Sequence, residues 1–296
     1  MNKFVIITDS CSDLDKSLRT QFDIEYVPMH FSVDDNDYEA SLDWASFSVT
    51  EFYNLLRNGK RILTAQVTVE EYKQAFKKHL DNGYDVLSIS CSSALSASVK
   101  ASFVAKEELE KDYPDRKIIC VDSLNSCYGL GIMVITASRM RSEGKTIEEI
   151  AEWIENHKLE VNQECTPDKL LYLKRAGRVS ATSAFFGGLL NIKPIIISDA
   201  KGQNFAVEKV KGRKVSIERL AERFLESYNP DAPYQCVCIS HADSPADASL
   251  LKDAIIKKLG HNVDIYTGYI GPIVGASCGP GTLAVYFYGK KVTVNG

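Results

Sequence analysis

The sequence predicts an α/β fold with an N-terminal three-layer domain built on a parallel sheet, a C-terminal α+β domain, and a cleft between them. Apolar runs such as Phe4–Ile7, which end in hydroxyl and carboxylate groups, are typical of parallel strands buried on both faces. Such runs alternate with helical periodicity as far as residue 160, which indicates successive strand–helix units. After Cys165 hairpin-like strands mix with helices. We therefore predict domains over residues 1–165 and 166–296.

Length and composition agree with two domains and exclude several classes of partner. A chain of 296 residues is near the upper limit for one hydrophobic core. A formal net charge of −4 gives no general attraction to nucleic acid or to an anionic membrane. No apolar run is long enough to span a bilayer, so we expect no stable membrane insertion. Since no signal peptide precedes the first strand, we expect a cytoplasmic protein with reduced thiols.

The elements of the first domain follow from apolar periodicity and from capping residues. Thr68 and Glu71 form a capping box ahead of an amphipathic helix, and Gly129 and Gly131 open a strongly apolar one. The aspartate-rich residues 34–46 predict an exposed loop without the spacing of an EF-hand. In order, the other predicted elements are strands 4–10 and 23–28, helix 50–56, a polar turn over 63–68, helix 69–81, strand 86–91, helix 97–111, strand 117–123 and helix 146–157.

The elements of the second domain follow from turn residues between short apolar runs. A basic, turn-bearing segment covers residues 169–178, and a small-residue helix is predicted over 180–190. Asp199–Gly202 predicts the turn of a hairpin. In order, the remaining predicted elements are strands 192–198 and 205–209, helix 216–228, strand 235–240, helix 245–259, and strands 262–267 and 282–288.

A run of hydroxyls marks one strand-to-helix junction in the first domain. No charged residue lies between Asp85 and Lys100. The free N–H groups of a first helical turn, together with hydroxyls, suit a weakly acidic head group better than a polyphosphate. The alternative is that these serines only cap the helix. The candidate residues are Ser92, Ser93 and Ser96.

The cysteine, histidine and glycine patterns favour neither a metal nor a cofactor. No C-x-x-C pair occurs among the eight cysteines, and the five histidines show no ligand spacing. Cys236 and Cys238 share one face of a predicted strand, most simply as small buried hydrophobes. No G-x-G-x-x-G occurs, and the segment before Gly144 lacks the other glycine of a phosphate loop. We expect no metal and no cofactor.

A serine hydrolase of acyl esters is the main alternative class. Gly275–Gly279 satisfies G-x-S-x-G, the nucleophile elbow of α/β-hydrolases, with Ser277 as nucleophile. That elbow must lead into a helix, whereas Pro280, Gly281 and a predicted strand follow here. No histidine follows residue 261, so the required order of serine, acid and histidine also fails. An interaction module without a ligand is a third interpretation.

Two arginines of the second domain are candidate binding residues. If the two domains face each other, Arg178 and Arg213 would border an acidic head group, since a guanidinium matches a carboxylate in a bidentate way. The simpler alternative is that both are solvated or paired, as surface arginines usually are. Residue type and spacing leave both interpretations open.

Six motifs in order give the chain a resemblance to the DegV family, and together they cover nearly its whole length. The resemblance implies a two-domain α/β carrier that binds one long-chain fatty acid and has no catalysis of its own. It implies an acyl tail buried in the first domain and a carboxyl at the interdomain cleft. Several members present the bound acid to a separate fatty acid kinase, which phosphorylates the carboxylate. The motifs are Ile7–Leu14, Thr64–Gln66, Ser92–Ser96, Val121–Ser123 with Gly129 and Gly131, Ala176–Arg178, and Gly275–Gly281.

The resemblance also implies site residues. Thr64 matches the carboxyl-binding threonine of the family's Thr-Ser-Gln turn, and Ser96 matches the head-group serine of its Leu-Ser-Gly segment. Arg178 matches the arginine of its Gly-Gly-Arg segment, with Arg213 as a second basic position. Ser277 stands where the family's Gly-x-His-x-Gly-Pro-Gly segment has its histidine. Serine supplies no titratable charge near neutral pH, so the sequence does not decide whether a kinase partner exists. Nor does it decide acyl length, saturation or oligomeric state.

Overall fold

A four-stranded parallel sheet forms the centre of the first domain in the computed structural model, which describes residues 3–180 and 191–296. Its strands, in spatial order, are β2 (Ile24–Val27), β1 (Phe4–Asp9), β6 (Asp85–Ser90) and β7 (Ile118–Asp122). All neighbours are parallel, as the buried apolar runs predicted. The small-residue helix predicted over 180–190 lies, apart from Ser180, outside the described residues.

Helices cover both faces of this sheet. The helices are α1 (Lys16–Phe22), α3 (Val69–Leu80), α4 (Ser98–Leu109), α5 (Tyr128–Ser142) and α6 (Ile147–His157). The connections β1–α1–β2 and β6–α4–β7 step in opposite directions along the sheet, and parallel crossovers are right-handed, so α1 and α4 lie on opposite faces. α3 packs beside α4, and α5 packs beside α1 and α6. The three predicted layers are therefore confirmed.

A six-stranded sheet forms the second domain and confirms its α+β class. All neighbouring strands are antiparallel except the last pair. Two helices, α8 (Arg213–Ser227) and α9 (Pro245–Leu259), pack on each other and on this sheet. Its strands, in spatial order, are β10 (Asn204–Lys211), β9 (Ile192–Ser198), β8 (Val161–Thr166), β13 (Leu283–Tyr288), β11 (Val237–His241) and β12 (Ile265–Tyr269).

The chain enters the second sheet earlier than predicted. β8 begins at Val161, so the proposed boundary between residues 165 and 166 falls inside this strand. Its central residues are polar, which hid the strand from hydrophobic periodicity, yet all six residues are buried. Glu164 is buried because Arg223 pairs with both of its carboxylate oxygens, at 2.5 and 3.1 Å. Tertiary pairing, and not local pattern, makes this segment a strand.

A small antiparallel sheet, which the sequence did not predict, flanks the first domain. It contains β4 (Asn36–Glu39), β3 (His30–Val33) and β5 (Ile62–Ala65), in that order. The predicted loop over 34–46 therefore contains a strand, and the predicted turn over 63–68 begins within β5. Both strands are mostly exposed, so their sequences lack an apolar run. Three further helices complete the described part: α2 (Val49–Arg57), α7 (Leu171–Ala176) and α10 (Pro272–Cys278).

Helix α5 is buried between the two main sheets. All but three of its fifteen residues are buried, and it contacts β1, β2 and β6 on one side and β8, β11 and β13 on the other. A helix that is apolar on all sides is stable only when it is covered on all sides. At Gly131 a Cβ atom would lie 2.9 Å from the carbonyl oxygen of Ser12 and 2.9 Å from the side chain of Leu14.

We expect Gly131→Ala to lower the free energy of unfolding by about 1–3 kcal/mol, since the added methyl would overpack against a backbone carbonyl. The control is Ser142→Ala in the exposed last turn of the same helix, which should change stability by less than about 0.5 kcal/mol. Urea unfolding followed by circular dichroism measures both variants. Equal unfolding midpoints for the two would contradict the close packing of α5.

Candidate functional site

A cavity of about 640 Å³ lies at the carboxyl ends of β1 and β6, where the first sheet faces the second. Cys11 and Cys91, which follow these two strands, line it from the first domain. Ile196 of β9 and Tyr286 of β13 line it from the second domain. Parallel sheets place their sites at the carboxyl ends of their strands, and the volume is typical of small-molecule pockets, roughly 300–1,000 Å³.

The interior of this cavity is uncharged, mostly apolar and rich in sulfur. Burial raises the pKa of the Cys278 thiol to about 12 and raises that of Cys165 further, so both thiols are protonated at neutral pH. Protonated, buried cysteines behave as small hydrophobes. The interior thus offers no charge to a ligand. Its buried lining side chains include Cys11, Met29, Cys91, Cys165, Ile196, Ile270, Ile273, Cys278 and Tyr286.

Five of the seven candidate residues from the sequence line this cavity. They come from four separate segments: strand β5, the loop between β6 and α4, the residues after α7, and α10. The hydroxyls among them are partly or fully exposed, unlike the interior side chains, and so form the rim. The five residues are Thr64, Ser93, Ser96, Arg178 and Ser277.

The hydroxyl of Ser96 is held in a defined orientation by Ser98, a residue that the sequence analysis did not single out. Ser98 Oγ is fully buried, accepts a hydrogen bond from the backbone N–H of Val67 at 3.1 Å and lies 3.0 Å from Ser96 Oγ. Either hydroxyl can donate in this contact. Ser96 Oγ also accepts from the backbone N–H of Ser98 at 3.2 Å. These contacts hold Ser96 Oγ at the rim of the cavity.

Arg178 ties the second domain to the first at the rim. Its Nε donates to the carbonyl of Leu95 at 3.0 Å, and its Nη1 donates to the carbonyl of Ala176 at 2.6 Å. Gly177 adopts φ of 65° and ends α7, which turns the chain so that the arginine faces the loop after β6. Nη2 has no hydrogen bond to residues 3–180 or 191–296, so within these ranges one of the three guanidinium nitrogens has no acceptor.

The two other candidates, Ser92 and Arg213, do not line the cavity. Ser92 is buried and donates to the carbonyl of Gly202 at 2.9 Å, which joins the β9–β10 turn to the first domain. Arg213 begins α8, where it donates to two backbone carbonyls and pairs with Asp247 at 2.8 Å. Residue type alone did not show that neighbouring backbone carbonyls would occupy both side chains.

Polar lining residues from the second sheet escaped the sequence analysis. Gln163 of β8 donates through Nε2 to Asn204 Oδ1 of β10 at 3.0 Å, and both residues line the cavity. Gln163 is almost completely buried. Since β8 was not predicted as a strand, no sequence signal placed this pair beside the hydroxyls of the first domain.

The geometry around Ser277 does not fit a serine hydrolase. Ser277 lies inside α10 and not on a strand-to-helix turn, and its hydroxyl donates to the carbonyl of Ile273 at 3.4 Å. All five histidines belong to the described residues, and each bonds to a group other than Ser277. Ser277 therefore lacks the histidine base that would activate it and the strand-to-helix turn that would position it.

The described residues offer neither a metal centre nor a membrane-spanning helix. Among residues 3–180 and 191–296, no group of three or more histidine, cysteine, aspartate or glutamate side chains is arranged to hold a metal ion. Over the same ranges, every helix is too short or too polar to cross a bilayer. The cavity is therefore the feature on which a functional assignment rests.

Two carboxyl groups are buried behind the cavity wall. Asp9 accepts from the backbone N–H of Cys11 at 2.9 Å and from that of Cys91 at 2.8 Å, which joins the ends of β1 and β6. Asp13, at φ of 54°, lies so close to Gly271 that a Cβ there would approach its carboxyl oxygen to 2.4 Å. Burial raises the pKa of Asp9 to about 6 and that of Asp13 to about 7, more than nearby hydrogen-bond donors lower them.

The fold and this cavity define a class: two-domain α/β proteins with a small-molecule pocket at the domain seam. The sequence profile of the DegV family, described as uncharacterised proteins, matches residues 3–290. The chain therefore belongs to the DegV family, which confirms the resemblance found in its motifs.

Individual relatives agree with this family. A DegV domain-containing protein of Clostridium perfringens is 38% identical over 289 residues, which cover 98% of each chain. The solved structure of a lipid-binding DegV protein from Thermotoga maritima matches with a TM-score of 0.84 and 26% identity, over 98% of this chain and 100% of that one. DegV of Bacillus subtilis, a fatty-acid-binding protein, matches with a TM-score of 0.82 and 26% identity over the same shares.

Stability should depend on pH through Asp13. The folded protein holds the Asp13 proton up to about pH 7, whereas the unfolded chain releases it near about pH 4. The folded state therefore binds more protons in this window, and stability falls as the pH rises through it. Asp13→Asn cannot lose a proton, and asparagine tolerates the positive φ.

We expect wild type, relative to Asp13→Asn, to lose about 2–4 kcal/mol of unfolding free energy between pH 4 and pH 8. Urea titrations of both proteins at the two pH values measure this loss. The comparison with the variant removes the contributions of Asp9 and other carboxyls, which both proteins share. A stability difference that is the same at both pH values would show that Asp13 does not carry the effect.

Proposed function

We propose that the protein binds one long-chain fatty acid, with the tail in the sulfur-rich interior and the carboxyl at the rim. The observation that carries this proposal is the cavity of about 640 Å³, which joins an uncharged interior to a rim of neutral donors. Burying an acyl chain contributes about 0.8 kcal/mol per CH₂, so the tail supplies most of the affinity. The lipid-binding and fatty-acid-binding relatives of Thermotoga and Bacillus support the same class of ligand.

The carboxyl would be bound mainly by neutral donors. Thr64 and Ser96 are its main partners in this proposal, since both line the cavity and Ser98 holds the Ser96 hydroxyl at the rim. Ser93 and Ser277 offer further hydroxyls, and the Arg178 guanidinium adds positive charge at the mouth. A carboxylate without such donors would be costly to desolvate.

The tail would run along the seam between the domains. The resemblance implied a tail within the first domain, but the interior wall comes from both: Cys11 and Cys91 on one side, Ile196 and Tyr286 on the other. Loading the ligand therefore bridges the two domains. We propose a carrier without catalysis of its own, because the groups that would activate Ser277 are missing.

The cysteines and Ser277 support proposals for the compartment and the partner. All eight cysteines are free thiols, which suits the reducing cytoplasm. The resemblance implies a fatty acid kinase as partner. Since Ser277 stands in place of the family's histidine, the head-group site supplies no imidazole, and a proton transfer in such a step falls to the partner.

Mass spectrometry of an organic extract of the purified protein tests the proposal. We expect an intact free fatty acid in about a one-to-one ratio with protein, since one cavity holds one tail. An extract without lipid, together with labelling of Ser277 by a fluorophosphonate probe, would establish the hydrolase instead. An extract without lipid and no labelling would favour an interaction module.

Thr64→Val combined with Ser96→Ala should weaken fatty acid binding about tenfold or more, because hydrogen bonds to a charged group contribute roughly 1.5–3 kcal/mol each. The matched control is Ser17→Ala with Thr20→Val, which removes the same hydroxyls from exposed positions of α1. Fluorescent fatty acid displacement measures affinity, and thermal unfolding shows whether each variant folds. A folded double variant that retains wild-type affinity would refute the head-group assignment.

A further inference from the structure

A second cavity, of about 550 Å³, opens beside the rim of the first. The two cavities share Thr64, Arg178 and Ser277. A ligand group held by these three residues can therefore continue from one cavity into the other. The turn after α2, strand β5, helix α7 and the end of α10 enclose the second cavity.

The second cavity is basic. Its described lining includes four cationic residues, Lys60, Arg61, Arg175 and Arg178, and no acidic one. Residues 181–190 contain no charged residue in the sequence, so they do not change this balance. A cluster with an excess of positive charge costs free energy through repulsion and favours a bound anion.

Two of these cations have no partner among the described residues. Lys60 pairs with Asp34 at 2.7 Å, and Arg178 donates to two backbone carbonyls. By contrast, Arg61 and Arg175 are exposed and form neither an ion pair nor a hydrogen bond with any residue in 3–180 or 191–296. Guanidinium groups bind phosphate in a bidentate way, so two unpaired arginines around one cavity fit a phosphorylated ligand.

The size of the cavity limits the class of ligand. At about 550 Å³ it is nearly as large as the cavity proposed for the acyl tail. A carboxylate, or one phosphate, would leave most of this space to solvent. A nucleotide-sized head group falls within the usual range of small-molecule pockets, roughly 300–1,000 Å³.

We propose that the basic cavity binds a nucleotide-sized, multiply phosphorylated head group joined to an acyl chain, the chemistry of an acyl-coenzyme A thioester. The proposal rests on the proposed function, because the acyl part occupies the first cavity. Thr64 and Ser277 lie where the two parts of the ligand meet, and the Thr64 hydroxyl donates to the thioester carbonyl. Arg61 and Arg175 bind the phosphates. Binding makes and breaks no covalent bond.

Calorimetry on lipid-stripped, full-length protein tests the head-group site with oleate, free coenzyme A and oleoyl-coenzyme A. We expect oleoyl-coenzyme A to bind about tenfold tighter than oleate at low salt, because added charge-assisted contacts are worth at least about 1.5 kcal/mol. That advantage should disappear near about 1 M salt, which screens exposed charges beyond about 3 Å. Oleate should compete with the thioester one for one.

Arg61→Gln combined with Arg175→Gln should weaken oleoyl-coenzyme A binding about tenfold while changing oleate affinity less than about twofold. The matched control is Lys111→Gln with Lys145→Gln, which removes two exposed charges distant in sequence from Arg61 and Arg175. This control should change neither affinity. Unchanged thioester affinity in the arginine variant would overturn the proposal. So would a variant that loses only binding to anionic phospholipid vesicles, since the arginines would then serve a membrane surface.

Failure of this inference is distinguishable from failure of the proposed function. Protein that binds oleate but binds its thioester no more tightly retains the fatty acid site and lacks the head-group site. Protein that binds neither oleate nor the thioester contradicts both. Binding of free coenzyme A alone, without competition from oleate, would separate the two cavities and would also overturn the proposal.

Discussion

A helix that is apolar on all sides must be covered on all sides, and this requirement on α5 organises the protein. α5 lies between the parallel sheet of the first domain and the mixed sheet of the second. Thr136 joins it to the second sheet through the hydroxyl of Tyr288, at 2.9 Å. Near the N-terminal end of α5, Gly131 lets the chain after β1 approach the helix closely. The two domains are thus held together by a shared core and not by a flexible linker.

The cavity forms where that shared core ends. Ser126, just before α5, lines it, as do the residues that follow β1 and β6. Asp9 joins the last turns of these two strands by accepting from the amides of Cys11 and Cys91. Cys11 and Cys91 thus line, from the first domain, a space that the second domain closes. Polarity rises outward, from buried sulfur and isoleucine to hydroxyls and then to arginines, which is the order that an amphiphile requires.

Much of the fold was predictable because local patterns agreed with it. The strand over 192–198 and the helix over 245–259 match their predicted bounds, and the capping box of Thr68 and Glu71 is present. Segments whose conformation depends on distant partners were missed. β8 is a strand because it pairs with β13 and β9. In the same way, β5 is a strand because it pairs with β3.

By itself the sequence determined the α/β class, the two domains, the family and the hydroxyls of the rim, since these depend on short periodic patterns and on motifs in order. Only the tertiary structure decided which polar side chains are available to a ligand. Ser96 and Ser92 are chemically alike and four residues apart, yet one faces the cavity and the other is bonded to Gly202. Arg178 reaches the rim while Arg213 is paired with Asp247. The reason is physical: a hydrogen-bonding group is free or occupied according to its neighbours in space, which local sequence does not specify.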